Sequence, residues 1–199
     1  MLHIVNGDCA VEALRESGIE GGFLSWIDVL HDGPVPAGLS LEELSEVRAD
    51  FIADCDWAVL EKVKAALDND LTPLLCVGES LEQREAGETE TVVAEQINAV
   101  IGLVGIGAFR NIIIAYEPVW AIGTGKTASP EQAQAVHLFI RSLLGESNES
   151  IAQGTPILYG GSMNAGNANE LISCADIDGG LIGGAALKAE DFLQICKAG

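Results

Sequence analysis

Residues 115–127 read AYEPVWAIGTGKT, and this stretch joins a carboxylate at the end of a strand to a glycine-rich loop. The run of isoleucines at 112–114 is typical of a buried parallel strand. Glu117 falls where that strand ends, and Pro118 stops the strand. Parallel α/β proteins place functional groups at the carboxyl ends of their strands. The stretch therefore predicts a functional Glu117, although a single glutamate before a proline is more often a solvated loop residue.

Three further motifs follow the same plan, in which a short apolar run ends in glycine or a polar residue. They are LLCVGE at 74–79, YGGS at 159–162 and DGGLIGGA at 178–185. Together with AYEPVWAIGTGKT, and in this order, they resemble the triosephosphate isomerase family over about residues 58–199. The resemblance implies four strand–helix units, which is half of a TIM (β/α)8 barrel. A complete barrel of this kind has eight strands and takes about 250 residues, so the chain is too short for one and the resemblance implies that something has replaced the front half.

The pattern predicts an α/β fold of about six parallel strands with flanking helices, arranged as an open twisted sheet with helices on both faces. Four strands are expected at 72–77, 111–116, 156–159 and 179–183. Helices are expected at Ser40–Ala53, at Ala58–Leu67 and from Pro130 to about Leu144.

The first 57 residues carry a different signature. A strand and turn at 2–8, a short helix at 10–17 and a second strand at 22–30 predict a β-α-β unit. The strings HIVNGD at 3–8 and WIDVLHDGPVP at 26–36 resemble the start of a family of bacterial proteins of unknown function that open on a Rossmann-like unit. We therefore expect segments 1–57 and 58–199 to meet near Cys55 and to merge in one globular domain. Such a junction indicates an engineered chimera or a natural recombinant.

The triosephosphate isomerase resemblance also implies roles for particular residues. Glu117 matches the catalytic base of that family. The positions whose backbone N–H groups grip the substrate phosphate are matched by Gly123, Ser162, Gly183 and Gly184. The lid and its latch are matched by Trp120, Ile122, Thr124, Gly125, Lys126 and Tyr159. Each glycine pair taken alone would more often be a turn at a strand end. Cys76 is expected to pack as a small hydrophobe, and Glu79 to contact the lid or a neighbouring backbone group.

The family's electrophilic motifs, Asn-Trp-Lys and His-Ser-Glu-Arg-Arg, do not occur in these 199 residues. The three histidines, His3, His31 and His137, stand in other contexts, with His137 on a predicted helix face. We therefore expect isomerase activity to be absent or severely impaired. Two alternatives stay open: a non-catalytic fold chimera that binds no ligand, and an active isomerase assembled from two chains.

Composition narrows the partners. A net charge of −20 argues against nucleic-acid and anionic membrane surfaces. The triosephosphate isomerase resemblance implies a phosphorylated triose, or a phosphate or sulfate anion, as the partner. The sheet edges of a half-barrel make a homodimer as readily expected as a monomer. Five cysteines without a CxxC pair predict reduced thiols, no disulfide and a cytoplasmic location. Neither a metal nor an organic cofactor is expected, because ligand spacing and a P-loop are both missing.

Overall fold

Five parallel strands form one sheet in the part of the chain that the computed structural model describes, residues 3–5, 57–69, 71–121 and 127–198. The strands are β1 (His3–Val5), β2 (Leu74–Val77), β3 (Ile113–Tyr116), β4 (Ile157–Tyr159) and β5 (Gly179–Leu181). Their order across the sheet is β1-β5-β4-β3-β2, and every described pairing is parallel. The first strand thus lies beside the last, as it does in a barrel of alternating strands and helices.

Helices connect the strands, as parallel pairing requires. They are α1 (Trp57–Asp68), α2 (Leu81–Glu85), α3 (Thr89–Val104), α4 (Pro130–Gly154), α5 (Ala168–Ile172) and α6 (Ala189–Cys196). Three short 3-10 helices, Ile106–Asn111, Val119–Ala121 and Gly184–Leu187, lie beside β3 and β5. The predicted α/β class with parallel strands and flanking helices is confirmed. The strands are a little shorter than predicted, because Asn111 belongs to a 3-10 helix and Pro156 precedes β4.

Alternate residues of the strands belong to two separate clusters. Leu75 and Ile114 pack in the large cluster, which also takes the buried side chains of the helices. Leu74, Ile113 and Leu158 belong to a small cluster that contains strand residues only. Since side chains alternate across a sheet, the described helices cover one face. The prediction of helices on both faces is therefore wrong for this part of the chain, and the one-sided covering is that of a barrel wall. Cys76 packs against the small cluster and is half-buried, as expected of a small apolar group.

Helix α4 extends ten residues beyond its predicted end near Leu144. It begins at a capping box in which Ser129 Oγ accepts from Gln132 N at 3.2 Å and Gln132 Oε1 accepts from Ser129 N at 3.0 Å. At Asn148 the backbone leaves the helical region, and Asn148 Oδ1 accepts from Ile151 N at 3.1 Å. Asn148 thus ends one helical segment and caps the next, as asparagine commonly does.

A buried arginine fastens α4 to the loop before β5. Arg141 donates to Asp176 Oδ1 at 2.9 Å and to Asp178 Oδ2 at 2.7 Å, and it reaches the carbonyl oxygen of Ala152 at 2.8 Å. Asp178 Oδ2 also accepts from Ile157 N at 2.7 Å, at the start of β4. Charge-assisted hydrogen bonds of this kind fix an orientation as well as a distance, so this contact sets how α4 lies along β4 and β5.

Several predictions lie outside the described residues. They are the turn after β1, the helices at 10–17 and 40–53, the strand at 22–30, His31, and the loop residues Ile122, Gly123, Thr124, Gly125 and Lys126. Among the helices that are described, none combines the length and the apolar character needed to cross a bilayer.

Candidate active site

Glu117 follows β3 directly and is fully buried. Its backbone N–H donates to the carbonyl oxygen of Val77 at 2.8 Å, and Gly160 N donates to the carbonyl oxygen of Tyr116 at 2.8 Å. The ladders on both sides of β3 therefore continue up to the carboxylate. This fixes Glu117 at the carboxyl edge of the sheet, between the ends of β2 and β4.

Two glycines make room for Glu117. A β-carbon at Gly160 would clash with Glu117 Cγ and lie 2.7 Å from its Oε1, and one at Gly78 would clash with the carbonyl oxygen of Glu117. Both positions therefore require glycine, because the backbone of Glu117 lies close to Gly78 and its side chain lies close to Gly160. The packing gives the carboxylate a defined place at the strand ends.

The segment after Glu117 is anchored by a second buried carboxylate. Glu79 accepts a hydrogen bond from Trp120 Nε1 at 3.0 Å and from Tyr116 Oη at 3.1 Å. The carbonyl oxygen of Glu79 accepts from Val119 N at 3.0 Å. The expectation that Glu79 contacts the lid or a neighbouring backbone group is confirmed. Burial, and then the charge of Glu79, raises the pKa of Tyr116, so its hydroxyl stays a donor at neutral pH.

Arg84 balances the charge of Glu79. Its Nη1 donates to Glu79 Oε1 at 2.9 Å, and its guanidinium lies 4.8 Å from the centroid of the Trp120 ring. Helix α2 presents Arg84 there because Ser80 and Gln83 form a capping box at its start. The sequence prediction missed Arg84, although the Ser-x-x-Gln pattern beside Glu79 is a readable signal.

Tyr159, for which the family resemblance predicts a latch role, is the last residue of β4. Its hydroxyl donates to the carbonyl oxygen of Gly161 at 2.7 Å and accepts from Ala128 N at 3.0 Å. Thr127 Oγ1 lies 3.1 Å from the same hydroxyl oxygen. Burial raises the pKa of Tyr159. The residues that follow the glycine-rich loop are thus fastened to the end of β4, and Thr127 joins the contacts that the sequence did not single out.

Ser162 has a left-handed backbone, with φ of 67°, which is uncommon for a residue other than glycine. Its hydroxyl donates to the carbonyl oxygen of Ala121 at 2.8 Å. This hydrogen bond joins the turn after β4 to the segment after β3. Strained backbone of this kind is concentrated at functional sites.

Gly183 and Gly184 follow β5, where the 3-10 helix Gly184–Leu187 begins. Both are exposed, and a β-carbon at either would have no atom within 4 Å. The open space leaves the backbone at both glycines accessible, as an anion site built from backbone N–H groups requires. Of the predicted site, the structure therefore places Glu117, Trp120, Tyr159, Ser162 and this glycine pair at the carboxyl ends of β3, β4 and β5.

His137 is on a helix, as predicted, but it is completely buried. Its ring packs edge-on against Tyr116 at a centroid distance of 5.9 Å and lies 6.3 Å from Tyr159. Burial lowers the pKa of His137 to about 3, so the imidazole is neutral at physiological pH. It lies behind the strands that carry the site.

The fold and the site define a class of protein: a parallel α/β protein with helices outside the strands and a buried carboxylate at the strand ends, beside glycine-rich turns. The family model described as triosephosphate isomerase matches residues 44–199. The chain belongs to the triosephosphate isomerase family.

Relatives named triosephosphate isomerase match different extents of the chain. The protein of Ruthia magnifica is 64% identical over 152 residues, covering 76% of this chain and 61% of its own length. That of Vesicomyosocius okutanii is 67% identical over 140 residues, covering 70% and 56%. That of Nitrosomonas eutropha is 44% identical over 214 residues, covering 97% and 85%. The chain thus spans about three fifths of the length of the first two.

The Nitrosomonas alignment bears on the N-terminal segment, because 97% coverage of this chain must include most of residues 1–57. These relatives give no support to a Rossmann-like origin for that segment. The two-part origin therefore stays a prediction.

Proposed function

We propose that the chain carries the base and phosphate half of a triosephosphate isomerase site and binds triose phosphates or simple phosphate dianions, with isomerisation absent or severely impaired. The observation that carries this proposal is the placement of Glu117. It is a buried carboxylate at the end of β3, packed on Gly160 and flanked by the ends of β4 and β5.

Glu117 would act as the base that moves a proton between adjacent carbons of the substrate. The backbone N–H groups at Ser162, Gly183 and Gly184, with Gly123 of the loop, would hold the phosphate. Ile122, Thr124, Gly125 and Lys126 would complete the lid between Trp120 and the Tyr159 latch. The placement of the described site residues supports these roles, because they all lie at the ends of parallel strands along one edge of the sheet.

The proposed loss of activity rests on the electrophiles. The strings Asn-Trp-Lys and His-Ser-Glu-Arg-Arg are missing from these 199 residues. A single lost donor to a developing oxyanion costs on the order of 10²–10³ in kcat. Without two electrophiles, kcat/KM should fall at least ~10⁴-fold below that of an intact relative.

Triose phosphate interconversion by the purified protein, by Glu117→Gln and by Glu85→Gln tests this proposal. Glu85 is an exposed control in α2. Trace turnover that disappears in Glu117→Gln and persists in Glu85→Gln supports a residual site centred on Glu117. A rate within tenfold of an intact isomerase contradicts the proposed impairment.

We also propose that residues 1–57 have a separate origin from residues 58–199. Two further proposals are that the protein is cytoplasmic and that it forms a homodimer through its sheet edges. An experimental structure tests the separate origin directly. A strand at 22–30 beside β1, after a helix at 10–17, is the result that a β-α-β unit requires. Its absence contradicts the two-part origin.

A further inference from the structure

The ring of His137 is completely buried in α4, and the proposed chemistry gives it no role. Its Nδ1 lies 3.2 Å from the carbonyl oxygen of Asp176, and its Nε2 is buried without a hydrogen bond to any described residue. An Nδ1–H that donates to a carbonyl leaves Nε2 unprotonated. The imidazole is therefore held at one corner, and the rest of it serves as a packing surface.

The carbonyl oxygen of Asp176 has a second donor besides the imidazole of His137. The same oxygen accepts from Arg141 Nη2 at 3.1 Å. Removing the imidazole N–H would leave the carbonyl with its charged donor, so no buried acceptor would be orphaned.

The ring of His137 touches both tyrosines of the chain, which has only two. The Tyr116 ring lies 5.9 Å away, nearly perpendicular, and the Tyr159 ring lies 6.3 Å away. The two tyrosine rings are 6.4 Å apart. We call these three residues the ring triangle. Aromatic rings at such distances and angles attract one another and resist displacement.

Each tyrosine of the ring triangle is next to a part of the proposed site. Tyr116 directly precedes Glu117, and Tyr159 directly precedes Gly160, on which the Glu117 side chain packs. The backbone of Tyr116 accepts from Gly160 N at 2.8 Å. A change in the separation of the two rings would therefore change how Glu117 lies against Gly160 and relative to Ser162.

We propose that His137 is a positioning residue, whose ring sets the spacing of Tyr116 and Tyr159 and thereby places the Glu117 carboxylate relative to the phosphate-binding turn at Ser162. This inference rests on the proposed function, since it concerns the same site. It assigns His137 a role through its ring shape, and none through proton transfer.

Incorporation of 3-fluorotyrosine gives a direct readout, because a chain with two tyrosines has two fluorine resonances, assigned by Tyr→Phe variants. Inorganic phosphate is titrated into wild type, His137→Phe and His137→Gln. The Phe variant keeps a ring and loses the N–H, whereas the Gln variant keeps an N–H and loses the ring. Leu138→Ala is the matched control, because Leu138 is the next residue of α4 and is 51% exposed.

The ring role predicts that His137→Phe and Leu138→Ala keep both the phosphate-induced shifts and the wild-type Kd within about threefold. It predicts that His137→Gln shifts both tyrosine resonances together and weakens phosphate binding by about tenfold or more. A structural hydrogen bond predicts the reverse order of the two variants. If His137→Gln does not fold, loss of the phosphate response in folded His137→Phe still overturns the inference.

Failure of this inference and failure of the proposed function look different. A wild-type protein whose resonances do not respond to phosphate overturns the proposed site, and the inference with it. A wild-type response that is unchanged in His137→Gln overturns the inference alone.

Discussion

At the scale of single residues, the site depends on a missing β-carbon. Gly160 lies so close to Glu117 that any side chain there would enter the space of the carboxylate. The backbone on both sides is held by strand hydrogen bonds, so Glu117 would have to move.

Replacing Gly160 with Ala should lower the free energy of unfolding by about 1–3 kcal/mol, the usual cost of overpacking a buried site. Gly102→Ala is the matched control, because a β-carbon at that position in α3 meets no atom within 4 Å. It should stabilise the helix by about 0.5–1 kcal/mol. Urea unfolding of both variants measures the difference, and equal stabilities would show that Glu117 is not packed on Gly160.

The Glu79 cluster gives a second prediction at this scale. Glu79→Gln removes the negative charge that pairs with Arg84 and accepts a hydrogen bond from Tyr116, while the side-chain volume stays the same. The loss should be about 1–3 kcal/mol in urea unfolding, with a change in tryptophan emission because Trp120 donates to this carboxylate. Exposed Glu85→Gln should stay within about 0.5 kcal/mol of wild type. Equal effects at the two positions would contradict a buried ion pair.

The sequence predicts the parts of the site that are adjacent in the chain, and it does not predict the contacts that depend on the fold. Glu117 could be predicted, because a strand, a carboxylate and a proline are adjacent in sequence. The contacts of Glu79 with Arg84 and Trp120 depend on where α2 turns, which only the fold determines. The burial of His137 could not be predicted either, since a histidine on an amphipathic helix fits a buried or an exposed face equally well.

At the scale of elements, α4 is held in place by Arg141 as much as by its apolar face. The guanidinium bonds to two carboxylates before β5 and to a carbonyl oxygen near the end of α4. The helical spacing of apolar residues predicted α4 itself. It did not predict that Asn148 would begin a second segment, because the hydrogen bond from Ile151 N to Asn148 Oδ1 forms only where the backbone has left the helix.

Arg141→Met should cost about 3–5 kcal/mol, because it leaves Asp176 and Asp178 without their cation in a partly buried place. Arg110→Met, at an exposed arginine of the 3-10 helix before β3, should change stability by no more than about 0.5 kcal/mol. Thermal unfolding measures both. If the two variants melt together, the Arg141 contacts do not hold α4 to the sheet.

At the scale of the whole molecule, His137 links stability to pH. Its pKa is lowered by burial from about 6.5 to about 3 in the folded protein. The surrounding groups are neutral Tyr116 and Tyr159, the carboxylate of Asp176 and the guanidinium of Arg141. Below pH 6.5 the unfolded chain takes up a proton that the folded chain does not, so this contribution to stability is complete above pH 6.5 and is lost as pH falls towards 3.

Urea unfolding between pH 8 and 5 should show this contribution as a loss of ~1.4 kcal/mol per pH unit below pH 6.5. The comparison with His137→Phe isolates it, because both proteins share every other titrating group. The two profiles should run parallel above pH 7 and diverge below pH 6. Parallel profiles throughout would mean that His137 accepts a proton as easily in the folded protein as in the unfolded chain.

The pairing of β1 with β5 has a consequence for how the protein is made. Residues 3–5 lie beside residues 179–181, so their backbone partner is synthesised long after them. A nascent chain on the ribosome therefore carries this strand without that neighbour until residues 179–181 have been synthesised, and contacts between such distant residues form slowly. Slowing translation before codon 179, or tethering the nascent chain before residue 179, should keep the sheet incomplete and make the chain a substrate for chaperones.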